Sequence, residues 1–122
     1  MAKQFKLQSV LNYRQLLENQ AQQRLTASLQ HKTDIEAELE RQQHVLMQQD
    51  AELKQRQQEG LTIAEIDLFE TGIKHCRRII DQLQQELAKL ERQIVGERDE
   101  LLAAARDRKV IEKVKDNQEA EY

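Results

Sequence analysis

Three histidines, one cysteine and a handful of misplaced charges are the residues of this sequence that could do chemistry. His31, His44 and His75 could ligate a metal or carry a proton. A metal site needs several further ligands about one turn away, and a single acid such as Glu40 near His44 does not supply them. The three rings therefore read as solvated surface, and we expect no metal. Cys76 could act as a thiolate, but it falls on the apolar stripe of its segment and reads as a buried core thiol. A single cysteine allows no internal disulfide and fits a reducing compartment. The sequence contains no phosphate-binding loop, nucleophile elbow or dinucleotide fingerprint. The expectation is a chain that is not an enzyme and holds no cofactor.

The elements that would carry these residues are helical. Of 122 residues, 34% are charged and 3% aromatic, with three glycines and no proline to interrupt a helix. Alternating strand patterns are absent, and the bias toward Ala, Glu, Lys, Leu, Arg and Gln is that of a coiled coil. Regular Leu and Ile spacing argues against disorder. Near the middle, Gly60-Leu61-Thr62-Ile63-Ala64-Glu65-Ile66 strings together helix-end signals. Gly60 suits the left-handed position past a helix end, and Thr62 with Glu65 forms a Thr-x-x-Glu capping box. Leu61 and Ile66 fall at the hydrophobic-staple positions. So short a connection makes its helices antiparallel neighbours.

The spacing predicts one all-α coiled-coil hairpin over residues 1–122, with helices at about 7–59 and 63–116, a turn at 60–62 and a polar tail at 117–122. Residues 1–6 are expected to fray. The first seam reads Leu11, Glu18, Leu25, Lys32, Leu39, Leu46 and Leu53, flanked by Leu7, Arg14, Ala21, Ser28, Ile35, Gln42 and Gln49. Val10, Leu17 and Leu29 lie beside it. The second runs from Ile66 through Phe69, Ile73, Cys76, Ile80, Leu83, Leu87, Leu90, Ile94, Glu97, Leu101, Ala104 and Arg108 to Ile111. A sustained 3.5-residue period implies a left-handed supercoil. Folding about Leu61 sets Leu53 opposite Phe69, Leu39 opposite Leu83, Ile35 opposite Leu87 and Leu11 opposite Ile111. Gly72 and Gly96 sit off the seam. Two helices bury one stripe each, so self-association or a partner could add burial.

Arg14, Glu18, Lys32, Glu97 and Arg108 occupy seam positions where an apolar residue belongs. In one reading they set the register, with arginine stems snorkelling and Glu18 offsetting Arg14 and Arg108, which the register brings near each other. In the other, the open end is charged because it docks into another protein. Net charge is -3, which gives no overall reason to bind nucleic acid or an anionic membrane. A nucleic-acid or membrane-surface binder would use Arg106, Arg108, Lys109, Lys113 and Lys115, but Asp107, Glu112 and Asp116 interrupt that run. Lys3 and Lys6 precede no apolar run, unlike a signal peptide, and the longest apolar run, residues 101–105, is too short to span a bilayer. We expect a cytoplasmic protein without direct membrane insertion.

Phe5-Lys6-Leu7-Gln8-Ser9-Val10-Leu11-Asn12-Tyr13-Arg14, followed by Glu18 and Ala21, resembles the opening of flagellar export proteins of the FliJ family, Phe-x-Leu-x-x-Val-Leu-x-x-Arg-x-x-x-Glu. Leu101-x-x-Ala104-x-x-Asp107-Arg108-Lys109-x-x-Glu112-Lys113 is similar to that family's closing stretch, and Tyr122 matches its terminal residue. The resemblance covers the whole chain in architecture and its two ends in motif. It implies a non-enzymatic part of the flagellar type III export apparatus, shaped like the central stalk of rotary ATP synthases and peripheral to the inner membrane at the flagellar base. The implied partners are the hexameric export ATPase, the export-gate membrane protein and substrate chaperones. The residues carried over as partner-binding are Leu7, Val10, Leu11, Arg14 and Glu18, with Leu101, Arg108, Lys109, Glu112 and Lys113. A generic structural coiled coil, scaffold or tether, is the alternative.

Overall fold

A computed structural model describes residues 2–121, with side chains for residues 6–120. It contains two helices, α1 (Ala2–Glu59) and α2 (Ile63–Glu121), which pack antiparallel as an all-α coiled-coil hairpin. Gly60 between them has a φ of 100°, the left-handed conformation that ends a helix without a Cβ clash. The Thr62 hydroxyl oxygen accepts a hydrogen bond from the Glu65 N–H at 3.2 Å, and the Ile66 N–H donates to the Thr62 carbonyl at 3.1 Å. Half of the capping box is thus in place. The Glu65 carboxylate turns elsewhere, to Arg56 Nη2 at 3.4 Å, and the Arg56 guanidinium also lies 5.7 Å from the centre of the Phe69 ring. A cation between a carboxylate and an aromatic face gains from both, which explains the choice.

Both helices exceed their expected ends. α1 starts at Ala2 and α2 runs through Glu121, so the fraying expected at 1–6 and the tail expected at 117–122 are helical throughout the described residues. Neither stretch holds a glycine or proline to stop a helix. Pairing also continues outward, with Leu7, Gln8 and Gln118 half-buried and Lys115 Nζ donating to Gln8 Oε1.

Two compact units make up the chain. The first combines Met1–Gln30 with Arg92–Tyr122. Its seam residues are all buried or half-buried, Leu11 at 7% exposure and Ala21, Leu25 and Ile94 similarly shielded. The second unit is His31–Glu91. Here too every seam residue is at least half-buried, and Ile35, Ile73, Cys76 and Leu90 are buried. Cross-helix pairs within each unit fall within about a turn of the register expected from folding about Leu61: Arg14 with Asp107 and Gln93 with Ser28 in the first, Cys76 with Gln42 and Lys32 with Glu91 in the second.

Gly72 is half-buried and is less peripheral than its position off the seam suggested. A Cβ there would lie 3.6 Å from Gln49 Nε2. The Gln49 Oε1 atom is buried without a hydrogen-bond partner, a loss of about 1–3 kcal/mol for an amide oxygen. Gly96 faces open space, with nothing within 4 Å of where a Cβ would stand. Gly96→Ala should therefore raise the unfolding free energy by about 0.5–1 kcal/mol, the backbone entropy glycine forfeits in a helix. Urea titration followed by circular dichroism measures this, and a destabilised variant would show that the site is not open.

Candidate partner-binding site

All ten residues expected to bind partners belong to the first unit. Their surroundings divide them. Leu11 is buried, Leu7 and Leu101 are half-buried, and all three serve the seam. Val10 is 39% exposed, and Lys109 and Lys113 are exposed. Arg14, Glu18, Arg108 and Glu112 are half-buried and form cross-helix or same-helix ion pairs. The Phe5 side chain and Tyr122, which belong to the matching motifs, lie outside the described residues.

Glu18, expected to offset both arginines, answers Arg108 alone. Arg14 Nη1 pairs with Asp107 Oδ2 at 3.4 Å, while Arg108 turns to Glu18. Arg108 Nε donates to Glu18 Oε2, its Nη2 lies 3.5 Å from Glu18 Oε1, and its Nη1 donates to Glu112 Oε2 at 2.8 Å. One guanidinium thus spans a carboxylate on each helix, with its side chain 22% exposed. The hydrogen bond to Glu18, and then that to Glu112, hold its pKa above the usual guanidinium value. A raised pKa adds stability below the unfolded-state value, and that stability is lost only as pH climbs through the folded value. For an arginine that window lies beyond the range in which proteins are handled, so Arg108 is a permanent cation.

Further along the same unit, Arg24 Nη2 lies 3.6 Å from Glu100 Oε2. Beside it is a polar layer that the spacing only half revealed. Gln93 Nε2 donates to Ser28 Oγ at 3.3 Å and to Glu97 Oε1 at 3.5 Å. Ser28 and Glu97 are buried seam residues. Gln93 was missed, although its place four residues before Glu97 is the spacing at which helical side chains meet. A shallow groove runs past this layer, bordered by Arg14, Leu17, Ala21 and Arg24 on α1 and by Glu97, Ala103 and Ala104 on α2.

The remaining candidates sit apart. In the second unit, Lys32 Nζ approaches Glu91 Oε1 at 3.9 Å, and Cys76, 3% exposed, donates its thiol to the Gln42 carbonyl at 3.3 Å. His31, His44 and His75 are exposed, and His44 shares a 3.2 Å hydrogen bond with Gln48. Among the described residues, no group of three or more His, Cys, Asp or Glu converges as a metal site would require. No helix of the described residues is long and apolar enough to cross a membrane. Of the basic run, Arg108 and Lys115 are turned to partners within the chain, leaving Arg106, Lys109 and Lys113 exposed.

This fold and its charged seam define an antiparallel coiled-coil hairpin with ion pairs set into its terminal segments. The family model for the flagellar FliJ protein matches residues 3–122. The chain belongs to that family and is a component of the flagellar export apparatus. No curated protein and no solved structure matches it.

The unequal settings of the two arginines lead to unequal expectations. Arg108→Met should lower the melting temperature clearly, since it leaves half-buried Glu18 without its cation. Arg14→Met should lower it little, because its pair with Asp107 has side chains 38% and 57% exposed, and pairs that wet contribute about 0–1 kcal/mol. Thermal circular dichroism on both variants checks the order, and equal melting temperatures would contradict it.

Proposed function

We propose that this protein is a non-enzymatic adaptor that binds the hexameric export ATPase through its first unit and couples it to the export-gate membrane protein and substrate chaperones. It acts in the cytoplasm, peripheral to the inner membrane at the flagellar base. The observation that carries the reading is the juxtaposition, in one unit, of the two motifs through which the chain resembles its family. Within that unit the burial pattern supports a division of labour. Glu18, Arg108 and Glu112 are engaged with one another, while Lys109, Lys113 and Val10 remain exposed for a partner. Exposed cations of this kind act chiefly on association rate and salt dependence.

A second reading, a self-associating scaffold, is favoured by the exposed Tyr13, Leu16, Leu102 and Val110 of the same unit. Sedimentation of the isolated chain separates the two, since a stable homo-oligomer without ATPase binding would favour the scaffold. The direct test mixes the chain with the export ATPase and follows hexamer formation and ATP hydrolysis. Lys109→Ala with Lys113→Ala should leave the melting temperature unchanged, weaken association several-fold and flatten its salt dependence. Binding equal to that of the unaltered chain across a salt series would contradict the role given to these lysines, and no effect of the chain on the ATPase would overturn the adaptor reading.

A further inference from the structure

Glu97 presents a charge that the chain itself leaves poorly answered. The residue is 9% exposed, yet the hydrogen bond its carboxylate receives is a long one, 3.5 Å from the neutral amide of Gln93. Its other oxygen, Oε2, keeps contact with water and has no donor from the chain, whereas a carboxylate this shielded normally gains a cation or several donors. Two arginines border the same groove, and each is directed to a different acid, Arg14 to Asp107 and Arg24 to Glu100. These pairs cancel, so Glu97 is the surplus charge of the groove. The other lining residues are the polar Gln20 and Gln93 and four apolar ones: buried Ala21, half-buried Leu17 and Ala104, and exposed Ala103. Alanines on α2 leave room there for another backbone to approach.

We infer that this groove receives a helix of the partner that presents small apolar residues to the alanines and one Arg or Lys to Glu97. The complementarity is one of sign and count: one unmatched acid calls for one base. The inference rests on the reading of the export ATPase as the partner, and it adds which face of the first unit is covered and by what chemistry. Glu97 is then a specificity residue. A partner helix lacking the base would bury the carboxylate further and gain nothing for it.

The test measures affinity for the purified export ATPase with the full chain, Glu97→Gln, Ala103→Leu and Asp99→Asn, alongside thermal unfolding of each. Glu97→Gln keeps the shape and the amide contact while removing the charge. We expect it to bind at least tenfold more weakly with a melting temperature equal to or above that of the unaltered chain. Ala103→Leu, which fills the groove from an exposed position, should lose affinity in the same way. Asp99→Asn removes the same charge from an exposed position that does not line the groove, and should bind like the unaltered chain. If the unaltered chain binds and Glu97→Gln binds equally well, this inference is overturned and the adaptor reading stands. If the unaltered chain fails to bind, the adaptor reading falls and this inference falls with it.

Discussion

Each helix of this protein has only one apolar stripe to bury, and the rest of the structure follows from that limit. A two-helix packing shields a seam and leaves the other faces wet. The seam positions of both units are buried or half-buried, but no described side chain is fully closed off from water. This partial shielding is why polar residues are tolerated there. Lys32, Arg108 and Gln42 extend their ends toward carboxylates or solvent while their stems cover the stripe. The same limit makes register consequential. The short turn between Glu59 and Ile63 sets the register, and charges set into the stripe favour the same pairing. In the first unit, Glu18 and Arg108 face each other across the helices, and Arg14 and Asp107 pair one turn away.

Much of the fold could be read from the sequence because its cause is periodic. A 3.5-residue repeat assigns every position a face, so the seam list needed no knowledge of side-chain direction. The turn was equally accessible, since Gly60 and Thr62 each solve a local backbone problem. The failures come where one side chain had two options. Glu65 could have capped Thr62 but met Arg56, and Glu18, which could have offset both arginines, took Arg108 while Arg14 found Asp107. Spacing fixes where a side chain starts, while its rotamer is decided by charges on the other helix. The helix ends were underestimated because a polar tail and a polar helix have similar compositions, and pairing decided between them.

The candidate site was legible in a different sense. The terminal motifs carried the resemblance that the family match now supports over residues 3–122. Their residues do not act alike, however. Sequence likeness groups Leu11, Arg108 and Lys109 together, whereas the structure separates a buried anchor, an intramolecular clamp and an exposed cation. The Gln93–Ser28–Glu97 layer was hidden because Gln93 looks like any solvated glutamine of a coiled coil. Its importance depends on what lies opposite, which one helix cannot reveal. Glutamine and charged residues on the outer faces carry no such ambiguity, and they face solvent around a narrow core.

The claim that most needs testing is that seam charges favour the pairing of the two helices. A double-mutant cycle on Glu18→Ala and Arg108→Ala, read by urea unfolding, addresses it directly. If the two residues clasp each other across the helices, the double variant loses clearly less stability than the single losses predict together. Losses that add to within about 0.3–0.5 kcal/mol would mean that the two side chains act independently, and would contradict the account.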